Sequence, residues 1–330
     1  SALAAGLLVV TVAACGRDER SAPVRSSKAN DAVQPVAAHP VAATATVASS
    51  SDVAPVAAPA PPTPVVVSYG GAEQVFRSGD YGQAADLFQA YAEQHPDNPW
   101  GPYMEGIAAW RAGDHERAEA ALRKTLELAP DHRKGLLNLA RVLLEEGKAS
   151  DALEPAEGAL ALDSLSGESW RVLGNVRSEL GKVDDAVAAY RMALGLDHRD
   201  AWTMNNLGLL MIREGRYEEA LPPLARAAEL RPDVARFQNN LGIALERTGH
   251  LAEAADAFKA ALAVRTDYDK AQVSLDRVQA RADAAPSEPL DLAELARTFA
   301  DTVTAWQNGQ NGLQEPVPEV ATVPPDSVGG

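Results

Sequence analysis

The chain has 330 residues, of which 46% are hydrophobic and 5% are aromatic, and its formal net charge is −16. This length accommodates one large domain or two small ones. The negative charge disfavours non-specific binding to nucleic acid or to an anionic lipid surface, because both carry the same sign. Cys15 is the single cysteine, so the sequence excludes an internal disulfide.

The first residues form an apolar run. Residues 2–14 carry no charge, and the run ends directly before Cys15. It is too short to cross a bilayer, which needs about 20 helical residues. It fits the apolar region of a signal peptide, so residues 1–14 are interpreted as a signal peptide that lacks its start, since no Met or basic segment precedes it.

The residues around the cysteine are small and apolar. Val12, Ala13 and Ala14 precede Cys15, and this pattern resembles the lipobox of bacterial lipoproteins. The resemblance implies cleavage before Cys15, attachment of diacylglycerol and a fatty acid such as palmitate, and a protein that faces the periplasm. Gly16 resembles an outer-membrane sorting signal. The alternative is an ordinary secretory peptide with an incidental cysteine.

Residues 15–67 contain the cysteine followed by a stretch rich in Pro, Ala, Ser and Val. Proline lacks a backbone N–H and disfavours the helical conformation of the residue before it. We therefore predict a disordered linker, partly polyproline II, that separates the folded part from the membrane.

From residue 68 onward, glycine, alanine and a larger apolar residue recur with a constant period. A glycine stands every 34 residues, at Gly79, Gly113, Gly147, Gly181, Gly215 and Gly249. Five residues after each glycine is an alanine, at Ala84, Ala118, Ala152, Ala186, Ala220 and Ala254. A larger apolar residue follows four later in every repeat but the third, which has Ala156.

This pattern resembles the tetratricopeptide-repeat (TPR) family, whose period is 34 residues. The resemblance implies an all-α solenoid of six helix-turn-helix repeats that bind other proteins or peptides. One repeat cannot bury its own apolar face, so the last one needs a cover. Residues 268–283 are expected to form this capping helix, which places the solenoid at residues 68–283.

The remaining segment, residues 284–330, has two prolines near its start, Pro286 and Pro289. An amphipathic helix is predicted over residues 291–306, with Leu292, Leu295, Phe299 and Trp306 on one stripe. The stripe is expected either to pack back on the solenoid, where the helix could act as an internal ligand of its groove, or to bind a partner. A disordered acidic tail is predicted after it.

No catalytic pattern is found in the sequence. HExxH and GxSxG are absent, and the histidines lack metal-ligand spacing. The segment from Gly174 to Val183 is the nearest approach to a phosphate-binding loop. It has the wrong glycine spacing and lacks the required hydroxyl. The chain is therefore predicted not to be an enzyme and to use no cofactor, metal or small-molecule substrate.

In TPR arrays the first helix of each repeat lines a concave groove. Asn can pair with a peptide backbone, Arg can bind carboxylates, and Trp and Tyr supply contact area. At the corresponding positions this sequence offers a candidate peptide-binding set: Trp100, Tyr103, Trp110, Asn138, Arg141, Arg171, Asn175, Trp202, Asn205, Asn206, Arg213, Asn239, Asn240 and Arg247. The alternative is that the Asn residues serve packing between repeats.

The sequence thus predicts an adaptor that is lipid-anchored in the bacterial cell envelope, at the outer membrane, and binds a segment of another protein in this groove. Pilus or secretion assembly is the setting that the resemblance implies. Its partners are expected to be a protein or peptide, with membrane contact through the lipid alone and no nucleic acid. Two alternatives remain: a self-associating structural scaffold, and an accessory subunit of an envelope enzyme complex.

Overall fold

The computed structural model describes residues 67–282 and 289–311, which contain fourteen α-helices and no strand. The predicted all-α fold is therefore confirmed. The signal peptide, Cys15, the linker up to residue 66 and the tail beyond residue 311 lie outside the described residues. The helices are α1 Tyr69–Ser78, α2 Tyr81–Gln94, α3 Trp100–Ala112, α4 His115–Leu128, α5 Arg133–Glu145, α6 Ala149–Leu162, α7 Gly167–Glu179, α8 Val183–Leu196, α9 Ala201–Arg213, α10 Tyr217–Leu230, α11 Ala235–Thr248, α12 Leu251–Val264, α13 Asp269–Ala282 and α14 Leu292–Asn311.

Helices α1 to α12 form six helix-turn-helix repeats, and a glycine ends the first helix of each. All six periodic glycines have positive φ, from 71° at Gly181 to 90° at Gly79. That backbone conformation is unfavourable for residues with a side chain, which explains why glycine recurs there. The 34-residue glycine period therefore marks the turn between the two helices of each repeat.

Close approach of the two helices within a repeat explains the small residues. The six periodic alanines are fully buried. A Cβ added to Gly208 would lie 2.4 Å from Leu224 Cγ, and one added to Gly174 would lie 2.6 Å from the Tyr190 ring. The third repeat has Ala140 where these glycines stand and Ala156 where the larger side chains stand. Ala140 and Ala156 are both fully buried, so this repeat packs two small side chains where repeats two, four, five and six combine a glycine with a larger one.

The solenoid has two distinct surfaces. From α3 onward the first helices of successive repeats contact each other directly, through to α13. Within the described chain the second helices do not pack on one another in this way. The first helices therefore line the inner side of the array, called here the groove, and the second helices form its outer surface. The capping helix α13 packs on α12 and also contacts α11.

Helix α14 lies on the outer surface, against α8 and α10. Its residues Ala296, Phe299 and Val303 are buried in the core of the last repeats. The Arg191 guanidinium lies 5.2 Å from the centroid of the Trp306 ring. The hypothesis that this helix is an internal ligand of the groove is therefore wrong. It packs on second helices because its apolar stripe meets apolar side chains there.

This position of α14 bridges the weakest joint of the array. Among consecutive helices from α1 to α13, α8 and α9 make the sparsest contact. The apolar core consists of two clusters, one in α1–α7 and the other in α8–α14, so the boundary between them lies one helix before this joint. By contacting both α8 and α10, α14 connects the repeats on either side of the α8–α9 joint.

Candidate functional site

Four asparagines of the groove bind one another across three repeats, and we call them the asparagine ladder. Asn240 Nδ2 donates to Asn205 Oδ1 at 2.8 Å, and Asn205 Nδ2 donates to Asn206 Oδ1 at 3.4 Å. Asn206 Nδ2 donates to Asn175 Oδ1 at 2.8 Å, and the same oxygen accepts from the Tyr190 hydroxyl at 2.9 Å. These amides join neighbouring first helices, so much of their hydrogen-bonding capacity is used within the array.

A second polar chain joins α3, α5 and α7. Asn138 Nδ2 donates to the Tyr103 hydroxyl at 3.2 Å, and Arg141 donates to Asn138 Oδ1 at 3.0 Å and to Glu168 at 2.7 Å. Burial raises the pKa of Tyr103, so the phenol stays protonated. Burial also acts to raise the pKa of Glu168, but the charge and hydrogen bond of Arg141, together with the charges of Arg171 and Arg133, outweigh it and leave that pKa below its usual value. The Glu168 carboxylate is therefore ionised at neutral pH.

The other groove arginines also have internal partners. Arg171 lies 3.3 Å from Asp200, while Arg213 binds Glu179 at 2.6 Å and the Ser178 hydroxyl. The Arg247 guanidinium lies 5.7 Å from the centroid of the Tyr217 ring. Sequence reasoning placed these arginines in the groove but missed the acidic partners of Arg171 and Arg213 and the aromatic partner of Arg247. The period contained that signal, since Glu179 and Arg213 stand 34 residues apart.

The N-terminal part of the groove carries an aromatic cluster. The Trp100 ring centroid lies 5.6 Å from Tyr103 and 5.1 Å from His132, and the latter two rings are 4.7 Å apart. Trp100 is 49% exposed although it contacts both rings. His132 was not predicted as a site residue. Its Nδ1 accepts from the Gly135 N–H at 2.9 Å at the start of α5, and burial lowers its pKa, which favours the neutral ring.

The two other tryptophans of the predicted groove set, Trp110 and Trp202, have more contacts with neighbouring side chains than Trp100 has. Trp110 Nε1 donates to Glu145 at 2.9 Å. The Trp202 ring lies 4.8 Å from Phe237, and the Arg236 guanidinium lies 5.2 Å from the Trp202 centroid. Both side chains are only partly exposed. Trp100 is therefore the groove tryptophan with the most surface left for a ligand.

Asn239, the last of the predicted groove residues, lies outside the ladder. It is 5% exposed and lines a pocket of about 390 Å³ between α11 and α13. The wall of the pocket includes Ile243 and Val273, and Val273 is 62% exposed. Lys270, Val273 and Ser274 lie on the capping helix and were not predicted as site residues.

Neither a metal cluster nor a membrane span is found in the part of the chain that the structure describes. Within residues 67–282 and 289–311, no three His, Cys, Asp or Glu side chains are placed to hold a metal ion. None of the helices in those ranges is both long and apolar enough to cross a bilayer.

Family models described as tetratricopeptide repeats match the chain in four overlapping segments. One model matches residues 103–166, 137–204 and 171–228, and another matches residues 200–267. Together they span half of the chain. The chain belongs to the tetratricopeptide-repeat family, and its fold is that of a scaffold for protein–protein interaction. The predicted family is confirmed.

Solved structures are similar in fold. A TPR protein from Parabacteroides merdae ATCC 43184 has a TM-score of 0.56 at 14% identity, covering 64% of this chain and 82% of its own. A thermophilic TPR protein of Thermus thermophilus has a TM-score of 0.51 at 21% identity, covering 56% of this chain and 100% of its own. No curated protein matches the chain. At these identities the similarity shows the fold alone.

Proposed function

We propose that this chain is a lipid-anchored adaptor of the bacterial cell envelope, facing the periplasm from the outer membrane. It binds a segment of another protein in the groove, in an assembly such as a pilus or secretion machine. It performs no reaction itself and uses no cofactor, small-molecule substrate or nucleic acid. Its contact with the membrane is through the lipid on Cys15 alone.

The half-exposed Trp100 carries the proposal for the groove. A tryptophan in contact with solvent leaves a large apolar area uncovered, and such residues are enriched at binding hot spots. Trp100 is also held in place by the rings of Tyr103 and His132, one on its own helix and one before the next first helix. A side chain that is already ordered loses little conformational entropy when it binds a ligand.

The position of α14 supports the same proposal. This helix occupies the outer surface against α8 and α10, so it leaves the first helices uncovered. The paired arginines and asparagines of the groove keep neighbouring repeats in register. They therefore provide a rigid surface on which a partner segment can lie across several repeats.

Site-specific photo-crosslinking in the bacterial host tests the groove. A benzoylphenylalanine replaces Trp100 in one variant and Arg123 in the other. The two positions are matched in exposure, since the Arg123 side chain is 51% exposed and lies on the outer helix α4. We expect one dominant partner to crosslink from position 100 and not from position 123. Crosslinks between copies of this chain would favour the self-associating scaffold, and a partner captured only at position 123 would contradict groove binding.

Fractionation tests the anchor. Cys15→Ser removes the thiol that would take the diacylglycerol, so the protein is expected to move from the membrane pellet to the soluble periplasmic fraction or to remain unprocessed. Cys15→Ala serves as a second variant that also lacks the thiol. Retention of both variants in the pellet after a carbonate wash would contradict lipid anchoring without affecting the groove proposal.

A further inference from the structure

The asparagine ladder has a defined register. Asn205 Oδ1 on α9 accepts from Asn240 Nδ2 on α11, which is the first helix of the next repeat. One repeat further along the chain, Asn239 stands in the place of Asn205, and Ser274 stands in the place of Asn240. Repetition of the ladder would therefore require residue 274 to donate to Asn239.

Ser274 does not make that contact. Its side chain is shorter than that of asparagine, and the Ser274 hydroxyl accepts from Arg277 at 3.2 Å. Within the described residues Asn239 Oδ1 has no hydrogen-bond partner, although Asn239 is only 5% exposed. A buried acceptor without a donor is unfavourable, so a ligand that supplies an N–H there gains more than one that binds a solvated group.

The space left by the short serine is the pocket of about 390 Å³ between α11 and α13. Ile243 and Val273 form apolar walls, and Asp269 and Lys270 contribute one charge of each sign. Val273 is 62% exposed, so its apolar surface is accessible to a ligand. The pocket therefore combines an apolar surface, a balanced charge and a buried acceptor.

We propose that this pocket binds an extended peptide segment with an uncharged apolar side chain. The side chain packs between Ile243 and Val273, and a backbone N–H beside it donates to Asn239 Oδ1. The final side-chain torsion of asparagine is soft, so the Asn239 amide can turn toward the pocket as the ligand enters. This inference rests on the proposed function of the groove, because it specifies which end of the groove selects an apolar residue.

Selection from a phage-displayed library of random dodecapeptides on the immobilised full chain tests the proposal. We expect the recovered peptides to share one apolar position, and the affinity of a synthetic, fluorescently labelled representative is then measured by anisotropy. Ser274→Asn completes the ladder and fills the pocket. It is expected to raise the melting temperature while it weakens peptide binding by about tenfold or more, through loss of the hydrogen bond and the apolar contact.

Val273→Lys provides a second variant that leaves the fold intact, because the side chain is exposed. It is expected to weaken binding to a similar extent. Val264→Lys is the matched control, since Val264 is 44% exposed at the end of α12 and does not line the pocket. Its affinity is expected to equal that of the unaltered chain.

The outcomes separate this inference from the proposed function. If the peptide binds Ser274→Asn and Val273→Lys with unchanged affinity but loses affinity for Trp100→Ala, the pocket proposal is overturned and groove binding stands. If the library yields no peptide binder, both are overturned. Recovered peptides without a shared apolar position would also overturn the pocket proposal.

Discussion

The two halves of the solenoid, α1–α7 and α8–α14, are built from the same repeat but differ on their outer surface. Among the residues that the structure describes, no additional helix covers the second helices of the N-terminal half, whereas α14 covers α8 and α10 in the C-terminal half. The sparse α8–α9 joint lies directly after the first helix of the covered half. An added helix can therefore brace an array from outside while the inner surface stays open.

The inner surfaces of the halves differ less. In the N-terminal half, Tyr103, Asn138, Arg141 and Glu168 connect three first helices, and in the C-terminal half the asparagine ladder does the same. The chemistry changes from a partly ionic chain to an amide chain, but in both halves the bonds between helices join first helices of neighbouring repeats. In both halves the polar residues of the groove thus stabilise the array before they contact any ligand.

Loss of the α14 contact is expected to cause the largest destabilisation, and this destabilisation is expected to remain within the C-terminal half. Phe299→Ala removes a buried ring, which destabilises the docked helix by about 3 kcal/mol or more. We expect hydrogen exchange measured by mass spectrometry to accelerate in α8, α10 and α14, with α1–α6 unchanged. Phe88→Ala is the matched control, because it removes a fully buried ring from the other half. Equal acceleration throughout the array after Phe299→Ala would show that the halves are not separate.

Disturbing the close helix contact within a repeat is expected to cause the next largest destabilisation. Gly208→Ala places a methyl group 2.4 Å from Leu224 Cγ and is expected to destabilise the protein by about 1–3 kcal/mol. Leu224→Ala alone leaves a cavity that costs about 2–5 kcal/mol. The double variant reproduces the Ala140 and Ala156 pair of the third repeat, so its loss is expected to be smaller than the sum. Urea unfolding monitored by circular dichroism measures the stability of the two single variants and the double variant. Strict additivity of their losses would contradict a direct contact between positions 208 and 224.

Breaking the ladder is expected to have a smaller effect. Asn205→Ala removes the acceptor of Asn240, which is only 5% exposed, and the donor to Asn206. We expect a loss of about 1–3 kcal/mol, because a buried donor is left unsatisfied. Gln238→Ala is the control, since it removes one long hydrogen bond of 3.4 Å. Equal losses in thermal unfolding would indicate that the ladder contributes no more than an ordinary bond.

Acidification is expected to have the smallest effect, at the capping helix. Burial acts to raise the pKa of Glu246, but Arg277 and Arg281 outweigh it and hold that pKa below its usual value. The stabilisation is therefore complete above the unfolded pKa of about 4.3 and fades as the pH falls through the folded value. Because both arginines are about half exposed, we expect less than about 1 kcal/mol.

Glu246→Gln is the test of that assignment. The variant lacks the titrating carboxylate, so its unfolding free energy is expected to change less between pH 5 and pH 3 than that of the unaltered chain. Hydrogen exchange in α13 gives the local readout. An identical pH dependence in both proteins would assign the titration to other groups.

Much of the fold could be predicted from the period alone. The turn glycines are required by a positive φ, and the buried alanines are required by a close helix contact. Both requirements recur in every repeat, so they appear in the sequence as a period. The same register assigned Trp100, Asn206 and Arg213 to first helices. Ala156 interrupts the pattern, and the structure shows that it is fully buried, as is Ala140 at the glycine position of the same repeat.

What the sequence by itself determined is therefore the repeat, its helices and the residues that can line the groove. Only the tertiary structure decided that α14 packs on α8 and α10, that Arg213 pairs with Glu179, and that Asn239 Oδ1 has no hydrogen-bond partner among the described residues. These features depend on which side chains meet across different repeats. A periodic sequence specifies the position of each residue within its own repeat, whereas partners in space are selected by distance and shape after the array has stacked.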